Sequence, residues 1–352
     1  MPKDTIRVVR IHEHGGPEVL RIEDAPRPEP GPAEVRVRMG AMALNHLDVW
    51  VRRGIPGVRF PLPVVPGSDG AGVVDALGAG VGGPVPGTRV FVLPATSCGR
   101  CQACLSGVDN LCAEYRILGE HRDGTAAETV VLPAANVAPL PDDVDMAGGA
   151  SFGLSFLTAW QMLVHKARVV PGDRVLVHAA ASGVSTAGLQ IARHLGAIVA
   201  ATAGTAAKRA LARKLGADLV VDYGAESWVD EVRDWAGGPE IDVVFDHVGA
   251  DTLADSLRVL KRGGRYVFCG STSGHELATD LRRLFYKNLE ILGSTMGRRG
   301  DLFRIAGLMG AGRLRPVVDR AFSLDKISDA HRHLEARQAL GKVVVTIDED
   351  VR

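Results

Sequence analysis

From about residue 171 onward, short apolar runs alternate with segments of helical spacing, and this alternation restricts the second half of the chain more than any other feature. Arg174-Val175-Leu176-Val177 reads as a strand, and 186–195 reads as a helix through Leu189, Ile191 and Leu195. Strands are then expected at 198–202, 218–221, 242–246 and 264–269, with helices at 206–215, 226–236 and 251–260 between them. Parallel neighbours need a crossover, normally a helix, so this period predicts a doubly wound parallel sheet of the Rossmann type covered on both faces.

The first 145 residues have another texture. Alternating runs such as Glu34-Val35-Arg36-Val37-Arg38-Met39 and Arg89-Val90-Phe91-Val92 are punctuated by Pro- and Gly-rich stretches, which predicts β-structure with long loops. After about Met296 the alternation stops. Arg315-Pro316-Val317-Val318 and Gly341-Lys342-Val343-Val344-Val345 read as strands rejoining the first zone. With 352 residues there is room for two cores. The expected division is a β-rich catalytic domain at 1–155, a nucleotide-binding domain at 156–296 and a return at 297–352, with the active site in the cleft between the domains.

Charge and apolar runs narrow the function classes. Lys+Arg and Asp+Glu are both 41, so no net field selects nucleic acid or an anionic membrane. Residues 146–164 carry no charge and are long enough to span a bilayer, but they include Gly148, Gly149, Ser151, Gly153, Ser155, Thr158 and Gln161. A buried segment at a domain junction is expected there, not a span. The opening residues show no secretory signal, so a cytoplasmic location is expected.

Cys98, Cys101, Cys104 and Cys112 are separated by two, two and seven residues. Four thiolates so spaced can enclose one tetrahedral ion with no position left for water, which makes a structural zinc lobe at 96–113 the expectation. Two disulfides or four idle thiols are the alternatives, and a reducing compartment disfavours the first. Cys269 stands alone at a strand end and reads as packed.

Taken in order, Gly15-Gly16-Pro17-Glu18-Val19-Leu20, Leu44-Asn45-His46-Leu47-Asp48, Pro66-Gly67-Ser68-Asp69-Gly70-Ala71-Gly72-Val73-Val74, the cysteine lobe and the Rossmann-like half resemble the medium-chain dehydrogenase/reductase superfamily over nearly the whole chain. That resemblance implies a GroES-like catalytic domain and a homodimer or homotetramer. In the alcohol dehydrogenase branch a second, catalytic zinc is held by ligands whose matching positions are Asn45, Ser68 and Leu154, none a good ligand, with Asp69 where a glutamate would stand. The pattern at these positions resembles the quinone oxidoreductase branch, which lacks the catalytic zinc, although that branch usually lacks the cysteine lobe too. A Lewis acid is worth several kcal/mol where full charge develops on one oxygen. A conjugated acceptor spreads that charge, so hydrogen-bond donors suffice. The expected substrate is therefore a small quinone, enone or other carbonyl compound, with neither nucleic acid nor membrane as partner.

The expected cofactor is NADPH. Strand 175–177 runs into His178-Ala179-Ala180-Ala181-Ser182-Gly183-Val184-Ser185, a degraded Gly-x-Gly-x-x-Gly, where Ser182, Gly183 and Val184 open a helix whose free N–H groups can receive pyrophosphate. A bland strand–helix turn is the alternative. After the second strand, Thr202-Ala203-Gly204-Thr205-Ala206-Ala207-Lys208-Arg209 lacks the acid that would hold a ribose 2′-hydroxyl. Lys208 and Tyr223 match positions that grip a 2′-phosphate in the resembling branch, with Gly204 giving room and Arg209 a second charge. Val248, Gly270 and Ser271 end later strands at the nicotinamide face, and Thr158 matches the family's cofactor-contacting threonine.

Asn45 is the candidate donor to a developing enolate, or else a residue that fixes its loop or touches cofactor ribose. His46 is a candidate proton donor, or an exposed loop histidine. Asp48 is a third candidate catalytic residue, or a loop-ordering one. Trp50 and Phe152 line an apolar pocket or simply pack. Two rivals stand beside the reductase: a zinc alcohol dehydrogenase acting on alcohols and aldehydes, and a non-enzymatic NADPH-binding sensor on the same fold.

Overall fold

A computed structural model describes residues 4–276 and 279–351. The chain divides into two compact units, one formed by Met1–Leu154 with Arg298–Arg352 and the other by Ser155–Gly297.

The discontinuous unit is built on a seven-stranded sheet. Its order is Val318–Ser323, Lys342–Thr346, Glu34–Ala43, Asp69–Leu77, Arg89–Val92 and Val137–Pro139, with Thr129–Pro133 also paired to Glu34–Ala43. Glu34–Ala43 begins by alternating and then stays buried from Met39 to Leu44, as expected of a central strand covered on both faces. Its Val35, Val37 and Met42 share one core cluster with Val64, Val343 and Val345. The strand expected at 315–318 begins later than its sequence suggests. Arg315, Pro316 and Val317 stay outside it and pairing starts at Val318, because proline brings no N–H to a ladder.

Register places three distant segments together. Ala43 lies opposite Val344 on one side and Asp69 on the other, both in antiparallel pairs. Two residues beyond Ala43, Asn45 therefore comes level with Lys342 on one flank and Gly67 on the other.

The continuous unit carries six parallel strands in the order Leu219–Val221, Ile198–Thr202, Arg174–Val177, Ile241–Asp246, Leu260–Phe268 and Glu290–Gly293. Strand order reverses beside Arg174–Val177, where a doubly wound sheet opens its ligand crevice. The helix expected from 186 starts three residues earlier, at Gly183, because the Ser182 hydroxyl caps it by accepting from the Ser185 N–H at 3.1 Å. The strand expected from 264 starts at Leu260, directly after the helix Ala250–Val259.

The uncharged run 146–164 breaks into Met146–Ala150, Gly153–Trp160 and the π-helical turn Gln161–Lys166. Among the described residues no helix is long and apolar enough to cross a membrane.

Candidate active site

In the discontinuous unit, Asn45, His46 and Asp48 do not lie on the loop expected from sequence. Asn45 is the N-cap of the helix His46–Arg53, and Asp48 is its third residue. Asp48 Oδ2 accepts from the Asn45 N–H at 2.7 Å and Oδ1 accepts from the Gly67 N–H at 3.0 Å. One buried carboxylate thus ties the strand end at Asn45 to the turn before Asp69. Gly67 holds φ at +101°, and a Cβ there would stand 2.5 Å from Thr125 Oγ1, so the turn admits only glycine. Burial pushes the Asp48 carboxyl up to about 6, against the pull of those backbone N–H groups and of Lys342.

The Asn45 side chain is engaged elsewhere. Its Oδ1 accepts from Lys342 Nζ at 2.6 Å, and its Nδ2 donates to Asp69 Oδ2 at 3.0 Å. Lys342 Nζ also donates to that same carboxylate oxygen at 3.0 Å, while Asp69 Oδ1 accepts from the Leu154 N–H at 2.6 Å. Asp69 and Lys342 are buried and Asn45 is half-buried. Sequence reasoning missed Lys342 as a site residue. Its signal was faint: a lone cation at the start of the Val343-Val344-Val345 run, which a buried strand tolerates only if that charge is paired.

These residues do not suit a catalytic zinc. Asn45 offers an amide already bonded at both ends, Ser68 Oγ donates to the Leu118 carbonyl at 2.7 Å, and Leu154 brings a hydrocarbon. Only Asp69 is a strong anionic ligand, and it is already bound to an ammonium. His46 is half-buried, edge-on to Trp50 with ring centroids 6.4 Å apart. Phe152 is buried against Phe91, with ring centroids 4.5 Å apart and planes tilted by 60°, which makes it a packing residue.

Donors do suit a metal in the cysteine lobe. The sulfurs of Cys98, Cys101, Cys104 and Cys112 all lie within 4.8 Å of one another, with Cys101 to Cys104 at 3.6 Å and Cys98 to Cys104 at 3.9 Å. Zinc–thiolate bonds of about 2.3 Å in a tetrahedron require sulfurs about 3.8 Å apart. Backbone N–H groups of Arg100 and Cys101 hold the Cys98 thiol down at about 6, favouring the thiolate a metal needs. Among the described residues no other group of three or more His, Cys, Asp or Glu side chains has such spacing.

In the continuous unit, the expected cofactor residues other than Thr158, which lies on the helix Gly153–Trp160, follow the carboxyl ends of parallel strands. Ser182 Oγ lies 2.8 Å from His247 Nε2, in addition to its capping bond, and burial lowers the His247 pKa so that the ring stays neutral. Gly183 and Val184 form the helix start. Ala179, in the phosphate turn, takes φ +47°, a conformation that glycine ordinarily fills. Its N–H is held by Thr202 Oγ1 at 3.2 Å. Gly204 lies beneath the Tyr223 hydroxyl, which a Cβ would meet at 2.8 Å. Lys208 sits in the first turn of Ala206–Lys214, half-buried.

Arg209 does not stand ready as a second phosphate ligand, because Asp222 takes its guanidinium in an ion pair. Asp222 is an acid that the sequence stretch 202–209 did not reveal, brought in from the end of the next strand. The Val248 N–H is bonded to Asp246 Oδ1 at 2.6 Å, and Gly270 and Ser271 follow the strand Leu260–Phe268. Thr158 is buried, and its Oγ1 has no protein partner among the described residues, the kind of orphan that a bound carboxamide or hydroxyl satisfies. Together these groups fit a dinucleotide.

Residues 31–142 match the model of the alcohol dehydrogenase GroES-like domain, and residues 183–309 match that of the zinc-binding dehydrogenase. The chain belongs to the medium-chain dehydrogenase/reductase family, a class of oxidoreductases. Its relatives include the quinone oxidoreductase of Homo sapiens, 30% identical over 350 residues that cover 97% of this chain and 98% of the relative. The 2-haloacrylate reductase of Burkholderia sp is 32% identical over 356 residues, covering 95% and 97%. A solved NAD-dependent alcohol dehydrogenase superposes with a TM-score of 0.95 at 50% identity, covering 97% of this chain and all of that one.

Proposed function

We propose that this protein is an NADPH-dependent reductase of conjugated acceptors, quinones or α,β-unsaturated carbonyl compounds, that works without a catalytic zinc and carries one structural zinc on Cys98, Cys101, Cys104 and Cys112. The observation that carries the proposal is the donor set at Asn45, Ser68 and Leu154, beside a buried ammonium bonded to Asn45 and Asp69. A divalent cation there would meet one engaged carboxylate and the positive charge of Lys342.

When bound, the reduced nicotinamide supplies a hydride. As an enone takes it at the β-carbon, the C=C pair shifts to join the α-carbon and the carbonyl carbon, the C=O π pair moves onto oxygen, and solvent later protonates the α-carbon of the enolate. The Asn45 amide is the donor that meets this oxygen, and a hydrogen bond suffices because the charge is shared with carbon. Gly183 and Val184 present backbone N–H groups to the pyrophosphate, while the Ser182 N–H is held by the Ala179 carbonyl at 3.0 Å, and Thr158 is a partner for the cofactor. Lys208 and Tyr223 receive the 2′-phosphate over Gly204. The names of the relatives agree in kind, since quinones and 2-haloacrylates are both conjugated acceptors.

A second reading is an NAD-dependent alcohol dehydrogenase, favoured by the 50% identical solved structure and by the commitment of Arg209 to Asp222. Metal analysis with turnover assays separates the two. One zinc per chain and NADPH oxidation by cyclohexenone or benzoquinone are expected. Two zincs with NADH-dependent aldehyde reduction would overturn the proposal.

Self-association as a homodimer or homotetramer is also proposed, supported by exposed Leu281, Phe285 and Tyr286 and by the edge strand Glu290–Gly293. Light scattering after gel filtration tests it, and a monomer would overturn it.

A further inference from the structure

An asparagine amide can face either way, but the partners of Asn45 have fixed polarity. An ammonium can only donate and a carboxylate can only accept. Lys342 at 2.6 Å therefore requires Oδ1, and Asp69 at 3.0 Å requires Nδ2. A flipped amide would turn N–H on N–H and oxygen on oxygen. The ring closes because Lys342 also donates to Asp69 Oδ2, and the Leu154 N–H fixes the other oxygen of Asp69. Nδ2 has two hydrogens, and among the described residues only Asp69 takes one of them.

We propose that Lys342 is a positioning residue for the reduction, locking the Asn45 amide so that the second Nδ2 hydrogen, and never Oδ1, faces the oxygen of the conjugated acceptor. The inference deepens the proposed function and rests on it. Lys342 contributes in two ways. It removes the flipped state, which would set an amide oxygen against the growing enolate. Its charge against Oδ1 also polarises the amide and strengthens the N–H as a donor where little water intervenes. The same ammonium is the partner of the buried Asp69 carboxylate, 3.0 Å away.

The test is a double-mutant cycle on the full chain, with cyclohexenone as acceptor and NADPH as donor. Lys342→Met should lower kcat by about 100-fold, the scale of losing one preorganised oxyanion donor. Its KM for NADPH should stay within about twofold, because a change confined to the chemical step leaves cofactor binding alone. Asn45→Ala should cost a similar factor, and the double variant should be no worse than the poorer single within about threefold, since residues acting as a unit are non-additive. Lys342→Met strands the Asp69 charge and can unfold the unit. Lys342→Met with Asp69→Asn removes both charges and should fold by circular dichroism yet remain slow, because Asn45 can then flip.

Losses that multiply to about 10,000-fold would show that Lys342 acts independently of Asn45 and would overturn the proposal. So would wild-type kcat in the folded Lys342→Met, Asp69→Asn variant. A wild-type protein that reduces no conjugated acceptor overturns the functional reading itself. An active wild type with an unimpaired Lys342→Met variant overturns only the role of Lys342.

Discussion

Lys342 and Asp69 stand 273 residues apart in sequence and meet at 3.0 Å, with side chains 4% and 0% exposed. Removing one partner of such a buried pair typically destabilises by about 3–5 kcal/mol, whereas removing both can be nearly neutral. The pair is therefore a constraint on what can be changed nearby.

Gly153 is a neighbour restricted by the pair itself. A Cβ there would lie 2.6 Å from Asp69 Oδ1, the oxygen that accepts from the Leu154 N–H. Gly153→Ala should displace the carboxylate, lower stability by roughly 1–3 kcal/mol as overpacking does, and slow turnover more than tenfold. Thermal melts and steady-state kinetics check this, and an unchanged kcat would mean that Asp69 tolerates displacement.

His331 gives the stability a definite pH dependence. Burial, helped by the Arg52 guanidinium 3.5 Å away, lowers its pKa from 6.5 to about 3. Between those values the unfolded chain binds a proton that the folded chain does not. The contribution is thus fully present above about 6.5 and is lost as pH falls toward 3. His331→Asn should flatten this acid limb, whose slope from one group is at most about 1.4 kcal/mol per pH unit. Urea melts of both proteins from pH 7 to pH 4 measure the difference, and parallel curves would contradict it.

The cysteine lobe predicts a metal stoichiometry. Purified protein should carry one zinc per chain by mass spectrometry. Cys98→Ser should weaken its retention by more than the 10–100-fold typical when a residue that merely supports a ligand is lost. Full occupancy in that variant would remove Cys98 from the ligand set.

Cofactor preference is expected to follow Lys208 and Asp222. Lys208→Ala should raise KM for NADPH by about 10–100-fold, the range for a charge-assisted hydrogen bond of 1.5–3 kcal/mol, with little change for NADH. Asp222→Asn releases Arg209 from its ion pair and should shift preference further toward NADPH. Titrations with both nucleotides decide, and equal effects on the two would argue against a 2′-phosphate site at Gly204.

Much of the fold was legible because period carries topology. The strand–helix repeat of the second half could only be a parallel sheet, and Glu34–Ala43 announced itself by alternation before turning fully apolar. The site was harder to read. Asn45 stood out by its motif, but the helix that it caps was hidden in a short mixed stretch, His46–Arg53, too brief to show a long apolar stripe. Lys342 was invisible as a partner because its role comes from sheet register, which pairs a C-terminal strand with one near the start of the chain. Asp222 escaped for a similar reason, reaching Arg209 from the end of a neighbouring strand.

That pairing has a consequence for biosynthesis. A ribosome makes Asn45 and Asp69 long before the ammonium that bonds to both, which is 297 and 273 residues further on. Any polypeptide released before residue 342 holds both polar groups without their counter-ion and lacks the strand that flanks Glu34–Ala43. Termination anywhere upstream of residue 342 therefore costs the buried carboxylate its partner and the sheet a strand in one event.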